Sequence, residues 1–247
     1  MAIHREPERT YRGVLKPAES ETAFRVVVEE SDLHVIARAD LSLEIAAFLS
    51  EIRGALKNYI LFHPDFVTSL VPLPFDPAAP PLARAMLHAA KACQVGPMAA
   101  VAGAVAQAVA DHFAPISPDL LVENGGDLFM HSTKTRLAAL LAKPVQGARL
   151  ALRVSPEEFP VSLCGSSATI GHSLSFGAAD LVTVKAKSGT LADAAATTLG
   201  NLATSADALP RVLKRAKELA HVGVLGVFVQ VGGKIGVWGD MELAALD

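Results

Sequence analysis

Residues 120–130 read LLVENGGDLFM. Leu120, Leu121 and Val122 lead into Glu123-Asn124-Gly125-Gly126-Asp127, and Leu128, Phe129 and Met130 lead away. Two adjacent glycines between apolar runs predict a tight hairpin, because glycine reaches positive φ without a Cβ penalty. They also strip one spot of side chains, so that backbone amides there can approach a ligand, often a phosphate. The acids and the amide flanking them exceed what a plain turn requires. The stretch therefore predicts both strand pairing and a site.

Strand and helix signals alternate irregularly around it. TAFRVVVEE (22–30) and LHVIAR (33–38) are β-branched runs joined by Ser31-Asp32, a second hairpin. In SLEIAAFLSEIRGALKNYIL (42–61) the apolar positions fall three and four apart behind Ser42, a candidate N-cap, which predicts an amphipathic helix. PLPFDPAAPP (72–81) is loop by its prolines and the only candidate hinge. A helix follows over 82–92. QVGPMAAVAGAVAQAVADHF (94–113) then turns at Gly96-Pro97 and continues as a helix apolar nearly all round, hence buried on several sides. Strands are expected at 120–123, 149–154, 181–186 and 222–231. FPVSL (159–163) reads as a strand with Cys164 at its end, and GGKIGVWGD (232–240) as a Gly-Gly hairpin returning through 235–238. One more helix is expected over roughly 190–202. Hairpins mixed with long helices indicate an α+β fold, with mixed or antiparallel sheets packed on the helices and residues 1–247 forming one domain.

Composition narrows the function classes. Of 247 residues, 51% are hydrophobic and 19% charged, enough apolar material for a core and no case for disorder. A net charge of −3, with no dense Lys/Arg patch, argues against a nucleic-acid partner, and aromatics at 5% are too few for stacking platforms. Cys93 and Cys164 form no CxxC pair and read as free thiols rather than a zinc site or disulfide. MAIHREPERTYRG (1–13) has no apolar h-region. The greasiest stretch, 95–110, holds Pro97 and Gln107 and falls short of the ~20 apolar residues a membrane span needs. The expectation is a cytoplasmic protein with a small-molecule ligand and no membrane partner. Its Ala/Gly helix and strand edges are compatible with a homodimer.

Three further stretches could carry chemistry. CGSSATIGHSLSFG (164–177) gathers hydroxyls, Cys164, His172 and glycines between two strands. It could surround a polar ligand with small donors and acceptors, or satisfy its own backbone. A Ser–His or Cys–His pair there has no evident third member. In LADAAATT (191–198), Asp193 and Thr197 lie four apart on one helix face and offer hard oxygens suited to Mg²⁺. The alternative is an acid in a helix's first turn, favourable with its dipole. Small residues over 95–111 let another backbone or a flat ligand approach, or simply pack a core helix.

Taken in order, these stretches resemble the ApbE-like superfamily, whose best-known members are FAD:protein FMN transferases. The Ala/Gly helix is similar to that family's Gly-Ala-Lys-Gly helix, and VENGGD (122–127) to its strand ending in Asn-x-Gly-Gly. CGSSATIGHS (164–173) is similar to its Thr-Ser-Gly and His-containing region, and LADAAATTLGN (191–201) to its Ala-Asp-Ala-x-x-Thr magnesium motif. From residue 11 onward the chain resembles most the short cytoplasmic, uncharacterised-protein branch of that superfamily.

The resemblance implies a fold of two intertwined lobes, with Mg²⁺ and FAD or a related nucleotide as cofactors. It makes Asp193 and Thr197 metal ligands and sets the Gly125-Gly126 turn beside the nucleotide. Glu123, Asn124, Asp127, Ser166, Ser167 and Thr169 would line the pocket, with His172 and Cys164 the candidates for catalysis. Ala102-Gly103 stands where the transferases carry Lys-Gly, and Gln107 where they carry an acid. The leading expectation is a cytoplasmic enzyme binding a flavin or other nucleotide-like ligand with Mg²⁺; two other readings remain at this point, a sulfur-assimilation protein of anaerobes carrying a persulfide on Cys164 and a non-catalytic flavin-binding protein.

Overall fold

The computed structural model describes residues 17–140, 149–167 and 177–246. Thr169 and His172 fall outside the described residues. The rest forms three layers built on one large sheet. Its eight strands are β1 (Thr22–Val28), β2 (Ser31–Ala37), β3 (Leu120–Asn124), β4 (Asp127–His131), β7 (Val161–Ser166), β8 (Leu181–Ala186), β9 (Val224–Val231) and β10 (Lys234–Gly239), in that spatial order. A smaller sheet has the order β11 (Glu242–Leu246), β6 (Arg149–Val154), β5 (Arg136–Ala139). Every pairing in both is antiparallel. The sheets are intertwined along the chain, which leaves the large one after β4, enters the small one, and returns at β7.

Alternation along the central strands explains the layering. Val122, Phe129, Cys164, Val182, Val184, Val227 and Val229 face the helices. Ile36, Leu121, Leu128, Met130, Leu163, Leu181 and Phe228 face the small sheet, where Leu152 and Val154 meet them. Strands buried on both faces read as continuous apolar runs, which is why Leu120-Leu121-Val122 shows no polar alternation.

The helical layer holds α1 (Ser42–Phe62), α2 (Asp65–Thr68), α3 (Pro81–Cys93), α4 (Val101–Phe113), α5 (Gly189–Leu202) and α6 (Leu209–Glu218). α4 follows a 3₁₀ turn over Pro97–Ala100. It buries Gly103, Ala104, Val105, Ala106, Val109, Ala110 and Phe113, so it is enclosed on several sides as its composition predicts. No single helix among the described residues is long and apolar enough to cross a membrane. The proline-rich segment is loop, pinned where the Tyr59 hydroxyl donates to Asp76 (3.0 Å) and where Phe75 meets His88.

Several expectations need correction. The first hairpin turns at Glu29-Glu30, not Ser31-Asp32: Val28 pairs with Ser31, and Glu29 takes φ 53°. Charge decides this, because Arg53 of α1 reaches Ser31, Glu29 and Glu30, and Lys57 reaches Glu29. Ser42 is the first residue of α1 rather than its cap; its N–H donates to Asp40 (2.9 Å). β9 begins at Val224, behind a 3₁₀ turn and Gly223 at φ 113°. β7 runs through Ser166, so Cys164 lies inside a strand and not at its end. α6, β5 and β11 have no counterpart in the sequence reading. α6 buries Leu209, Val212 and Ala216 at helical spacing under a basic outer face.

Candidate functional site

The site begins at the hairpin of β3 and β4. Asn124 pairs with Asp127, leaving Gly125 and Gly126 as a two-residue loop at φ 68° and 105°. A side chain would strain the backbone at either position, yet a Cβ built on either meets nothing within 4 Å. The turn thus accounts for both glycines by conformation alone. Among the described residues, nothing packs against the turn at either position.

The polar residues around the glycines brace this turn. Glu123 accepts the Gly126 N–H (2.7 Å). Asn124 Nδ2 donates to the Ala102 carbonyl (3.1 Å) in the first turn of α4. Asp127 accepts the Gly165 N–H (3.2 Å) from β7. Ser167 Oγ donates to the Asp180 carbonyl (2.7 Å), tying the exit of β7 to the approach of β8. Ser166 is buried at the end of β7, on the strand face that carries Ser162 and Cys164.

α4 and α5 converge on the same spot. A Cβ on Gly103 would lie 2.3 Å from the Gly189 carbonyl oxygen and 2.8 Å from Asp193 Cβ; one on Gly189 would lie 2.6 Å from the Gly103 carbonyl oxygen. The small residues of α4 therefore admit another backbone, that of α5. Each helix also caps the other. Asp193 Oδ2 accepts the Gly103 N–H (2.9 Å) at the start of α4, and Gln107 Oε1 accepts the Gly189 N–H (2.8 Å) at the start of α5. Asp193 sits in the second turn of α5 and not its first. Its charge thus complements the positive end of α4 rather than that of its own helix.

Two acids meet here. Asp127 is buried, and loss of solvent pushes its carboxyl well above the usual range, with the charge of Asp193 adding to the rise. Asp193 is raised to about 7, chiefly by desolvation, against the pull of the Gly103 and Ala102 amides. Neither has an ion-pair partner among the described residues. Thr197 is one turn along α5 on the Asp193 face, part-buried, its hydroxyl unbonded among the described residues. Thr198 is committed elsewhere, donating to the Cys93 and Ala194 carbonyls.

Cys164 departs from expectation. A candidate for catalysis by sequence, it is 0% exposed, with Sγ 3.2 Å from Ser162 Oγ and 3.6 Å from the Gly189 carbonyl. Burial pushes its thiol up, and the charges of Asp127 and Asp193 push it further. Such a thiol is a poor nucleophile. Cys93, also buried, is pushed up to about 12 by burial.

The structure brings together Glu123, Asn124, Gly125, Gly126, Asp127, Cys164 and Asp193, with Ser166 on the same strand face. Sequence reasoning gave no role to Ser188, which caps α5 by accepting the Leu191 N–H, or to the Ala102–Gly103 peptide. Ser188 was legible as a hydroxyl before a helix. The peptide carried no signal, because its role is made by residues 22 and 90 positions away.

Comparison with known proteins sets this geometry in context. The family model described as AbpE bacteria matches residues 14–233. A UPF0280 protein of Methanothrix thermoacetophila is 37% identical over 211 residues, covering 84% of this chain and 87% of its own. UPF0280 protein MJ1526 of Methanocaldococcus jannaschii is 38% identical over 203 residues, covering 79% and 81%. Among solved structures, the flavin transferase ApbE from Vibrio cholerae matches with a TM-score of 0.52 at 12% identity, over 91% of this chain and 98% of that one. The apo flavinyl transferase ApbE of Pseudomonas stutzeri matches at 0.52 and 14%, over 89% and 94%. Likeness at that identity concerns the fold.

Proposed function

Because the chain belongs to the AbpE bacteria family and shares its fold with flavin transferases, we propose that it binds a flavin or related nucleotide together with Mg²⁺ at the Gly125-Gly126 turn. The observation that carries this reading is the pair of neighbouring carboxylates, Asp127 buried and Asp193 part-buried, beside the glycine turn and without a cationic partner among the described residues. Two desolvated like charges repel, and a divalent cation relieves that repulsion.

The donor set suits Mg²⁺. Asp193 and Thr197 present hard oxygens from one helix face, and Asp127 adds charge beside them. No trio of His, Cys, Asp or Glu among the described residues is arranged to hold a metal. Mg²⁺ commonly takes only one or two protein oxygens and completes its shell with water and phosphate, so a phosphate-bearing ligand would be part of the site. When bound, the cation would neutralise phosphate oxygens. The chain's own contribution is to hold the turn open and the carboxylates fixed. Ala102 supplies no amine at the start of α4, and the proposal is accordingly one of binding rather than flavin transfer.

The test is thermal unfolding with FAD, FMN and ADP, each with MgCl₂ or EDTA. A ligand at a hundred times its Kd stabilises by about 2.7 kcal/mol. The expected result is stabilisation by a flavin nucleotide that requires Mg²⁺ and is lost in Asp193→Asn. No stabilisation by any of the three in either condition overturns the reading.

A further inference from the structure

We infer that Gln107 is a positioning residue of the proposed cation site, acting through α5 on Asp193. The inference rests on the reading of Asp193 as a cation ligand. Gln107 projects from α4, and its Oε1 accepts two bonds from the start of α5: the Gly189 N–H at 2.8 Å and the Ser188 hydroxyl at 3.3 Å. Its Nε2 donates to Asp111 at 3.3 Å, and Asp111 in turn meets His131 Nε2 at 2.8 Å, so the amide is oriented from behind.

Four residues after Gly189, Asp193 returns the contact to α4 through the Gly103 N–H. The two helices therefore touch at Gly103 and Gly189 and are clamped on either side of that contact by one side chain from each. A Gln107 clamp sets where α5 begins against α4, and with it the position of the Asp193 carboxylate. Removal of Gln107 Oε1 leaves the Gly189 N–H without its acceptor in a close-packed crossing, and the helix shifts to find another. A ligand-orienting partner of this kind typically changes metal affinity by about 10–100-fold.

The experiment is calorimetric titration of MgCl₂ into the full chain saturated with FAD, whose phosphates supply the oxygens the site lacks. Gln107→Met, similar in length but without the acceptor, is expected to weaken Mg²⁺ binding at least about tenfold. Gln107→Glu keeps an acceptor oxygen for Gly189 and is expected to bind closer to wild type than to Gln107→Met. Val105→Ala, a cavity variant on the same helix, is expected to lower Tm and leave Mg²⁺ affinity unchanged, which separates positioning from general loosening. Should Gln107→Met not fold, Gln107→Asn, one methylene short of Gly189, is expected to weaken binding in the same direction. Wild-type affinity in the Met or Asn variant, or no recovery in Gln107→Glu, overturns the inference alone. A wild-type chain that takes up no Mg²⁺ in the presence of FAD overturns the cation site and this inference together.

Discussion

Asn124 and Asp193 hold the two ends of one peptide group. Asn124 Nδ2 donates to the Ala102 carbonyl at 3.1 Å, and the Gly103 N–H of the same peptide donates to Asp193 Oδ2 at 2.9 Å. The hairpin, the start of α4 and the second turn of α5 are thereby joined through a single planar unit. Asn124→Asp exchanges the donor for an acceptor facing the Ala102 carbonyl. The expected cost is about 1–3 kcal/mol, the scale of an unsatisfied buried polar contact. Urea unfolding measures it, and a midpoint equal to wild type would show that the bond contributes nothing.

The raised carboxyl of Asp193 predicts an inverted pH dependence. Its ordinary value is 3.8 and its folded value about 7, so the folded state binds more protons across that window. Stability then falls as pH rises through it. Asp127 is raised too and acts in the same direction. The lowered carboxyls of Asp119 and Glu21 lose their contribution only in acid, below this range. In EDTA the protein is expected to melt at a higher temperature at pH 6 than at pH 8, and Asp193→Asn to flatten that difference. Parallel profiles for the two proteins would refute the assignment.

The glycines should separate by mechanism. Gly125→Ala meets no neighbour, and its cost is conformational, about 1–2 kcal/mol for a left-handed residue. Gly103→Ala drives a methyl into the Gly189 carbonyl and Asp193 Cβ, an overpacking cost of about 1–3 kcal/mol or more. Gly103→Ala is further expected to weaken Mg²⁺ binding, whereas Gly125→Ala leaves it near wild type. Titration of both variants distinguishes them, and equal affinities would sink the distinction.

Both thiols should be silent in the native protein. Cys93 and Cys164 are buried and pushed to high pKa, so Ellman's reagent is expected to label neither until guanidinium unfolds the chain. Rapid native labelling, lost in Cys164→Ser and kept in Cys93→Ser, would contradict the burial and restore a sulfur-carrying role.

Asp119, immediately before β3, is fully buried. Burial disfavours its charge, but the Thr133 N–H, Arg38, Ser132 and the Thr133 hydroxyl outweigh that and hold its carboxyl below the usual range. Asp119→Ala is expected to destabilise by roughly 3–5 kcal/mol, as when one member of a buried charged network is removed. Denaturant unfolding is the check; a loss under 1 kcal/mol would mark the network as weak.

Local pattern determined much of this molecule. The Gly-Gly hairpin, the apolar α4, the strands at 149–154 and 181–186 and the α+β class were all legible, because strand and helix periodicities and glycine's freedom at positive φ act over a few residues. α6 carries a local pattern of the same kind, with Leu209, Val212 and Ala216 at helical spacing beneath a basic face. Where a turn fell was less legible: Glu29-Glu30 was chosen by Arg53 and Lys57 on a helix packed across it. The site belongs to the tertiary structure. Sequence showed Asp193 as an acid on a helix and Cys164 as a thiol before a loop. Only the crossing of α4 and α5 put Asp193 at the N-terminus of another helix and across from Asp127, and only α5 packed over β7 sealed Cys164 from solvent. Desolvation and close approach depend on which distant segments meet, and no local pattern contains that.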